Sequence, residues 1–409
     1  MKKFIQTIKN IYKIEELRKR IVYTFLLILV YRLGSFIVLP GIDPSVIAEF
    51  SASMSNRTDA LSLLNMFSGG AFGNVSIFAL GVMPYISASI VVQLLGVFVG
   101  KFRKMQAEES GRRKLNQITR LLTIVILCIQ GPAYISNIMH QYPNAFLVSS
   151  KLYILAATVI LLGGSMFVMW LGERITERGI GNGISLIIMI GIIARLPQAF
   201  MAEVLSKAGS TTGGILLLIV EFVILFFVFV AAIALVQAVR KVPVQYANRV
   251  IGNKQYGGVR QYIPLKVNAS GVMPIIFAQA IMLFPIIFSR FDATRGFAAA
   301  MSNYTGFWYN LVFGFLVIVF TYFYTAVTFQ PNMMAEDMKK NGGFIPGVKP
   351  GKKTMEYLDT IMTRIVLPGS IFLAIIAVLP AIATLCGVNN QFASFYGGTS
   401  LLILVGVVL

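Results

Sequence analysis

Phe67-Ser-Gly-Gly-Ala-Phe-Gly73, running into a better apolar stretch to Leu95 that holds Gly81 and Pro84, decides the fold. A simple membrane anchor is not built this way. In hydrocarbon every backbone amide and carbonyl needs an internal partner, so a broken helix is tolerated only where protein or a water-filled cavity surrounds it. The break therefore points to a path through the membrane. The rest of the chain agrees, because 57% of its 409 residues are apolar and 12% charged, with a mean hydropathy of +0.78. That is far above a soluble domain, and the chain reads as an all-α, polytopic membrane protein.

Crossing the hydrocarbon core takes about 20 apolar residues. Such runs lie near Ile21 to Leu39, Val75 to Leu95, Ile118 to Met139, Leu152 to Leu171 and Ile184 to Phe200, and again near Gly214 to Val239, Val272 to Phe288, Phe307 to Phe329 and Ile365 to Leu385. A tenth, Ser400 to Leu409, is about half a span, so the chain is expected to stop short of its natural end. Met1 to Arg20 is charged and amphipathic and lacks the small-residue cleavage site of an export signal. The first span is then expected to act as the targeting signal.

Orientation follows from the cations in the loops. The amino-terminal tail and the loops after the second, fourth, sixth and eighth spans hold 28 of the 35 Lys and Arg; the opposite loops hold Arg57, Lys151, Arg195, Lys207, Arg290 and Arg295, and Arg32 lies inside the first span. The amino terminus is expected in the cytoplasm. Most of the formal +19 then faces that side. It serves either orientation and attraction to anionic lipids or the docking of a polyanion or acidic partner.

The loop from Arg240 to Lys266 favours docking, with six cations and no carboxylate. Its Val- and Tyr-rich stretches, Val242 to Val250 and Tyr256 to Leu265, flank Gly252-Asn253 and read as a projecting β-hairpin. The other long loop, Gln330 to Thr363, turns at Pro346-Gly347-Val348-Lys349-Pro350-Gly351.

The two halves look like one plan used twice, five spans and five. The broken second span has its counterpart in the second span of the second half, which holds Gly271, Pro274 and Pro285, and interrupted segments at corresponding positions point to a translocation path. Ionisable groups inside the spans are sparse. Arg32 and Glu221 each snorkel, pair or sit between helices, and His140 reads as a surface histidine in an outer loop.

Enzyme motifs are missing. There is no His-Glu-x-x-His and no Gly-x-Ser-x-Gly, and Gly179, Gly181 and Gly183 open a membrane helix with no strand before it, which does not suit nucleotide binding. Cys128 and Cys386 read as packing residues without metal-ligand spacing. No cofactor and no metal are expected. Two function classes are compatible with these residues, a passive conduit and an inverted-repeat secondary transporter of a small solute.

Longer stretches carry a resemblance. Asn65-Met-Phe-Ser-Gly-Gly-Ala71, Ser76-Ile-Phe-Ala-Leu-Gly-Val-Met-Pro-Tyr-Ile-Ser-Ala-Ser89, Glu109-Ser-Gly-Arg-Arg-Lys114 and Trp170-Leu-Gly-Glu-Arg-Ile-Thr-Glu-Arg-Gly-Ile-Gly-Asn-Gly-Ile-Ser185 resemble the SecY/Sec61-alpha family. Pro264-Leu-Lys-Val-Asn268, Phe344-Ile-Pro-Gly-Val-Lys-Pro-Gly351 and Tyr396-Gly-Gly-Thr-Ser-Leu-Leu402 do so too, in the same order along the chain. The resemblance implies ten transmembrane helices in two pseudo-symmetric five-helix halves around a central pore. On this plan residues 1–20 form an amphipathic segment, 21–205 the first half, and 206–409 the second half with loops 240–266 and 330–363.

It also implies roles. A plug lies at about 60–73, including Asn65, Met66, Phe67, Ser68, Gly69 and Gly70, and the helix axis is expected to change at Gly73 to Val75. The pore ring matches Val82, Ile86, Ile184, Ile188, Ile276 and Ile403, where Val82 makes the ring slightly wider, and such a ring excludes ions by dewetting. A lateral gate includes Ser87, Ile90 and Gln93. Arg240, Lys254, Arg260 and Lys349 dock cytoplasmic partners, Lys349 standing where the family usually has Arg. The implied function is a protein-conducting channel in the bacterial cytoplasmic membrane, passing secretory preproteins and releasing nascent membrane proteins sideways into lipid. The implied partners are SecE and SecG, the motor ATPase SecA, the ribosome and anionic lipids.

Overall fold

The computed structural model describes residues 6, 13–56, 65–147, 151–208, 214–246, 249–251, 254–256, 260–282, 301 and 303–409. The chain splits into two compact units, one of Met1–Gly209 with Asn389–Phe392 and one of Ser210–Val388 with Ala393–Leu409.

The first unit contains α1 (Glu15–Gly34), α2 (Pro44–Asn56), α3 (Met83–Phe98), α4 (Gly100–Ala107), α5 (Glu109–Gln141), α6 (Lys151–Arg178) and α7 (Gly183–Ala208). Its core is unusual in composition for a helical bundle. Phe72, Val75 and Ala79, which belong to no helix, pack with Phe50 of α2, Tyr134, Ile135 and Ile138 of α5, and Ala157 and Leu161 of α6. Arg120 and Glu173 add a two-pronged ion pair between α5 and α6 at 3.1 and 2.7 Å. The segment Asn389–Phe392 joins this unit through the Asn389 amide, which donates to Glu203 Oε2 of α7 at 2.8 Å.

The second unit contains α8 (Gly214–Gln237), the strands β1 (Val239–Tyr246), β2 (Arg249–Ile251), β3 (Lys254–Tyr256) and β4 (Arg260–Lys266), then α9 (Met273–Met282), α10 (Phe307–Thr328), α11 (Pro331–Lys340), β5 (Gly343–Phe344), α12 (Lys352–Leu385) and α13 (Gly398–Val408). One core joins α8, α9, α10, α12 and α13 around Ala232, Ile275, Val317, Leu373 and Leu401.

A second core lies under the sheet. β1 pairs antiparallel with β4, Val242 opposite Ile263, and on its other edge with β5, Gln245 opposite Phe344. Alternation along β1 turns Val242 and Val244 inward, onto Leu265, Met338, Ile345, Leu358, Met362 and Val366. The expected hairpin is therefore present in the pairing of β1 with β4, and β2 and β3 pair as a separate two-stranded sheet, while the tip at Gly252-Asn253 lies outside the described residues. The two long loops, read separately in the sequence, are one body. The two residues of β5 make the join, and a strand that short leaves no period-2 pattern to read.

Among the described residues each of the ten apolar runs carries a helix: α1, α3, α5 to α10, α12 and α13. By length and composition alone, six helical stretches suffice to cross a membrane, namely those of α5, α6, α7, α8 and α12, with α10 continuing to Lys340. α3, α9 and α13 are apolar but shorter, and residues 283–288, including Pro285, lie outside the described region. The second run departs from expectation. No helix covers Val75 to Val82, and Gly73 to Val75 is not a change of axis within one; the backbone turns continuously from Ser68 until α3 begins at Met83.

Candidate functional site: a buried segment without helix

Residues 65–82 sit inside the first unit with almost no regular structure. Asn65 to Phe67 make part of a helical turn, and turns follow to Val82. Asn65 through Gly73 are all buried. An unpaired backbone group at such depth costs several kcal/mol, about the full desolvation penalty, so each carbonyl has to find a donor.

Turns within the segment supply backbone amides to the carbonyls of Asn65, Met66, Ser68, Gly70, Ala71 and Phe72, and side chains from α1 and α5 add donors at three points. Tyr31 Oη of α1 donates to the Ser68 carbonyl at 3.2 Å, and Arg32 Nη1 to the Gly69 carbonyl at 3.0 Å. The Asn74 amide reaches the Gly70 carbonyl at 3.0 Å. Ser76 Oγ donates to the Ala71 carbonyl at 3.2 Å, and Tyr134 Oη of α5 to that of Phe72 at 2.6 Å. Further on, the Leu39 amide donates to the Val75 carbonyl and the Ile77 amide to the Ile37 carbonyl, each at 3.0 Å, across an isolated bridge between Val38 and Ser76. Asn65 closes the loop on itself, since its Oδ1 accepts the Gly73 amide at 2.8 Å and Arg195 Nη2 of α7 at 3.2 Å.

Room for this backbone is made by glycines on the surrounding helices. A Cβ on Gly164 of α6 would collide with the Ile77 carbonyl, and one on Gly34 of α1 with the Phe78 ring. On Gly191 of α7 it would stand 2.8 Å from the Phe67 carbonyl. Within the segment Gly69 and Gly70 take φ of +64° and +96°, while Val75 holds φ +46°. For a β-branched residue that is a strained conformation costing about 1–3 kcal/mol, offset by the burial of its side chain among Leu39, Phe72 and Ala79.

Where the segment ends, a repeat becomes visible. Gly81-Val82-Met83-Pro84 starts α3 in the first unit, and Gly271-Val272-Met273-Pro274 starts α9 in the second. Both glycines lie at positive φ, +52° and +61°. In each unit the isoleucine three residues past the Met, Ile86 or Ile276, donates its amide to the Val carbonyl at 3.0 or 3.3 Å. The sequence reading noted the Gly and Pro at both sites but missed the identical tetrapeptide, a signal that self-comparison at this spacing would have found.

The expected ring residues are placed unit by unit. Val82 and Ile188 are buried, and Ile86 and Ile184 half-buried, in the first; Ile403 of α13 is buried and Ile276 half-buried in the second. Val82 and Ile86 share one face of a single turn. Ile184 follows a capped start, where Asn182 Oδ1 accepts the Ile184 and Ser185 amides at 3.1 and 3.3 Å. On α3, Ile90 is buried and Ser87 and Gln93 are half-buried, and Gln93 Nε2 bonds within its own helix to Ser89 Oγ at 3.2 Å. Asn65 to Gly70 are described; residues 60–64 of the expected plug lie outside the described region. Arg240 and Lys349 are exposed. Lys254 begins β3 and Arg260 begins β4.

Several sequence expectations change. Arg195, placed in an outer loop, lies half-buried in α7, where it donates to the Asn65 side-chain oxygen. His140 stands in the last turn of α5, exposed, not in a loop. Cys128 and Cys386 are exposed and so do not serve as packing residues within the chain. Glu203 was missed. It is fully buried in α7, 3.7 Å from Lys207, beyond the apolar run that drew attention to that helix.

A buried, non-helical segment braced by surrounding helices, with a Gly-Val-Met-Pro helix start in each unit and six helical stretches long and apolar enough to span a membrane, fits a multispan helical membrane protein. The model of the SecY family matches residues 76–409. The chain is 38% identical to the protein translocase subunit SecY of Chlamydia trachomatis, over 98% of this chain and 93% of that protein. It is 41% identical to that of Halalkalibacterium halodurans, over 99% and 95%. Among solved structures, one described as showing that the plug domain of the SecY protein stabilises the closed state of the translocation channel and maintains a membrane seal matches with a TM-score of 0.60 at 18% identity, covering 96% of this chain and 90% of that one. Sec61 in the canine ribosome-channel complex matches with a TM-score of 0.55 at 16% identity, over 96% and 90%. The chain belongs to the SecY family, and is a multi-pass protein of that family of protein-conducting channels.

Proposed function

We propose that this chain is the pore-forming subunit of a cytoplasmic-membrane translocase, with its amino terminus in the cytoplasm, conducting unfolded secretory polypeptides and releasing apolar segments sideways into lipid. The observation that carries the reading is the segment Asn65–Val82, a largely buried stretch whose backbone is paired through its own turns and tied to α1 and α5 by three side-chain hydrogen bonds. Hydrogen bonds of this kind are worth about 1 kcal/mol each and are replaceable by water, so the segment is held in place yet can leave. Asn65–Gly73 is then the plug. Val82, Ile86, Ile184, Ile188, Ile276 and Ile403 form an aliphatic constriction, and Ser87, Ile90 and Gln93 lie on the gate face of α3.

The chain itself supplies no energy for transport and catalyses nothing. The sheet and the turn at Lys349 face the cytoplasm and receive a motor ATPase or the ribosome, to whose acidic or phosphate surfaces Arg240, Lys254, Arg260 and Lys349 are suited. The halves 21–205 and 206–409 act as the two sides of the conduit, with SecE and SecG as companions and anionic lipids around the basic loops. The test is reconstitution of the complete translocase in vesicles. Motor-driven protection of a preprotein from external protease supports the reading, whereas solute uptake driven by an ion gradient without preprotein movement refutes it.

A further inference from the structure

Two arginines from different helices meet one turn of the buried segment. Arg32 of α1 donates to the Gly69 carbonyl at 3.0 Å, and Arg195 of α7 to Asn65 Oδ1 at 3.2 Å. The glycines beside them fit the guanidiniums closely, since a Cβ on Gly69 would lie 2.9 Å from Arg32 Nη1 and one on Gly70 2.8 Å from Arg195 Nη2. Asn65 Oδ1 also accepts the Gly73 amide at 2.8 Å, so Arg195 grips the atom that closes the 65–73 loop. Among the described residues neither arginine is ion-paired with a carboxylate.

We propose that Arg32 and Arg195 form a two-point cationic latch on the plug, positioning residues that hold the Asn65–Gly73 segment in its closed seat; the proposal rests on reading that segment as the plug. Each guanidinium is half-buried and donates to a neutral oxygen acceptor, which compensates the desolvated part of its charge only in part. The latch is therefore metastable. It fixes the seat while the interior is dry, and water entering with a polypeptide re-solvates both cations and releases it. Arg suits the task better than Lys, because a planar fork placed beside a backbone turn can donate in a fixed direction.

The experiment measures resting ion conductance of the complete translocase in planar bilayers without substrate. The channels compared are wild type, Arg32→Gln, Arg195→Gln, Arg195→Lys and a channel lacking Asn65–Gly73. Losing one charge-assisted hydrogen bond raises the open population about tenfold, so each Gln variant is expected to conduct about tenfold more, and Arg195→Lys less than Arg195→Gln. Neither Gln substitution adds conductance in the plug-deleted channel. If Arg195→Gln fails to assemble, Arg195→Lys against wild type reads the latch, and unchanged conductance then overturns it. Leak from the deletion channel with wild-type tightness in the Gln variants overturns the latch and leaves the plug reading standing. A deletion channel as tight as wild type overturns the plug reading itself, and Gln variants that leak further in the deletion background place the arginines' action outside the plug and overturn the latch.

Discussion

Tyr134 reaches across the first unit to a single carbonyl, that of Phe72, at 2.6 Å. Tyr134→Phe keeps the ring tilted against Phe72, whose centroid lies 4.6 Å away, and deletes the donor. The expected loss is about 1 kcal/mol, seen as a lower midpoint in thermal unfolding of the purified complex; an unchanged midpoint removes this bond from the account. Lys349 is a different kind of residue. It is exposed on the turn before α12, and its carbonyl accepts Thr354 Oγ1 at 3.0 Å, so the side chain is free of any fold-holding bond among the described residues. Lys349→Glu is expected to cut motor-driven translocation sharply while thermal stability stays unchanged. Near-normal translocation by that variant contradicts a docking role.

Elements pack by the absence of side chains as much as by their presence. α6 carries two adjacent glycines with opposite demands: a Cβ on Gly164 collides with the Ile77 carbonyl, whereas one on Gly163 meets nothing within 4 Å. Ala is favoured over Gly in a helix by about 1 kcal/mol. Gly163→Ala is therefore expected to be neutral or stabilising by up to about that amount, and Gly164→Ala destabilising in spite of it, read as opposite shifts in thermal midpoint. Equal shifts would show that the segment does not depend on that close approach. This contrast also marks what was legible in the sequence. The breaks at Gly69, Gly70, Gly81 and Gly271 were visible as glycines at membrane depth, and the hairpin as two Val- and Tyr-rich runs. The start of α3 at Met83 was not, because an apolar run from Val75 has the same composition whether helical or turned, and only Gly81 at positive φ with Pro84 behind it sets the boundary. Arg195 and Glu203 were lost in the same way. A charge near the end of an apolar run looks like a loop residue until the backbone it serves is seen.

Over the whole molecule the repeated Gly-Val-Met-Pro places Ile86 and Ile276 at equivalent points, three residues into the helix after a left-handed glycine. Each glycine pays for that geometry alone, since neither Cβ position is crowded, so Gly81→Ala and Gly271→Ala are expected to cost similar amounts, about 1–2 kcal/mol. A large inequality in their unfolding midpoints would separate the two turns functionally. The central claim is that a polypeptide moves along a path lined by residues from both halves, and it is tested most directly by a photoreactive side chain placed at Ile86 or at Ile276 in the complete translocase, with a secretory chain stalled partway. Both positions are expected to crosslink to the stalled chain, and both crosslinks to vanish when that chain is released. Crosslinking at neither position, with the secretory chain still engaged at the Lys349 face, would contradict the claim.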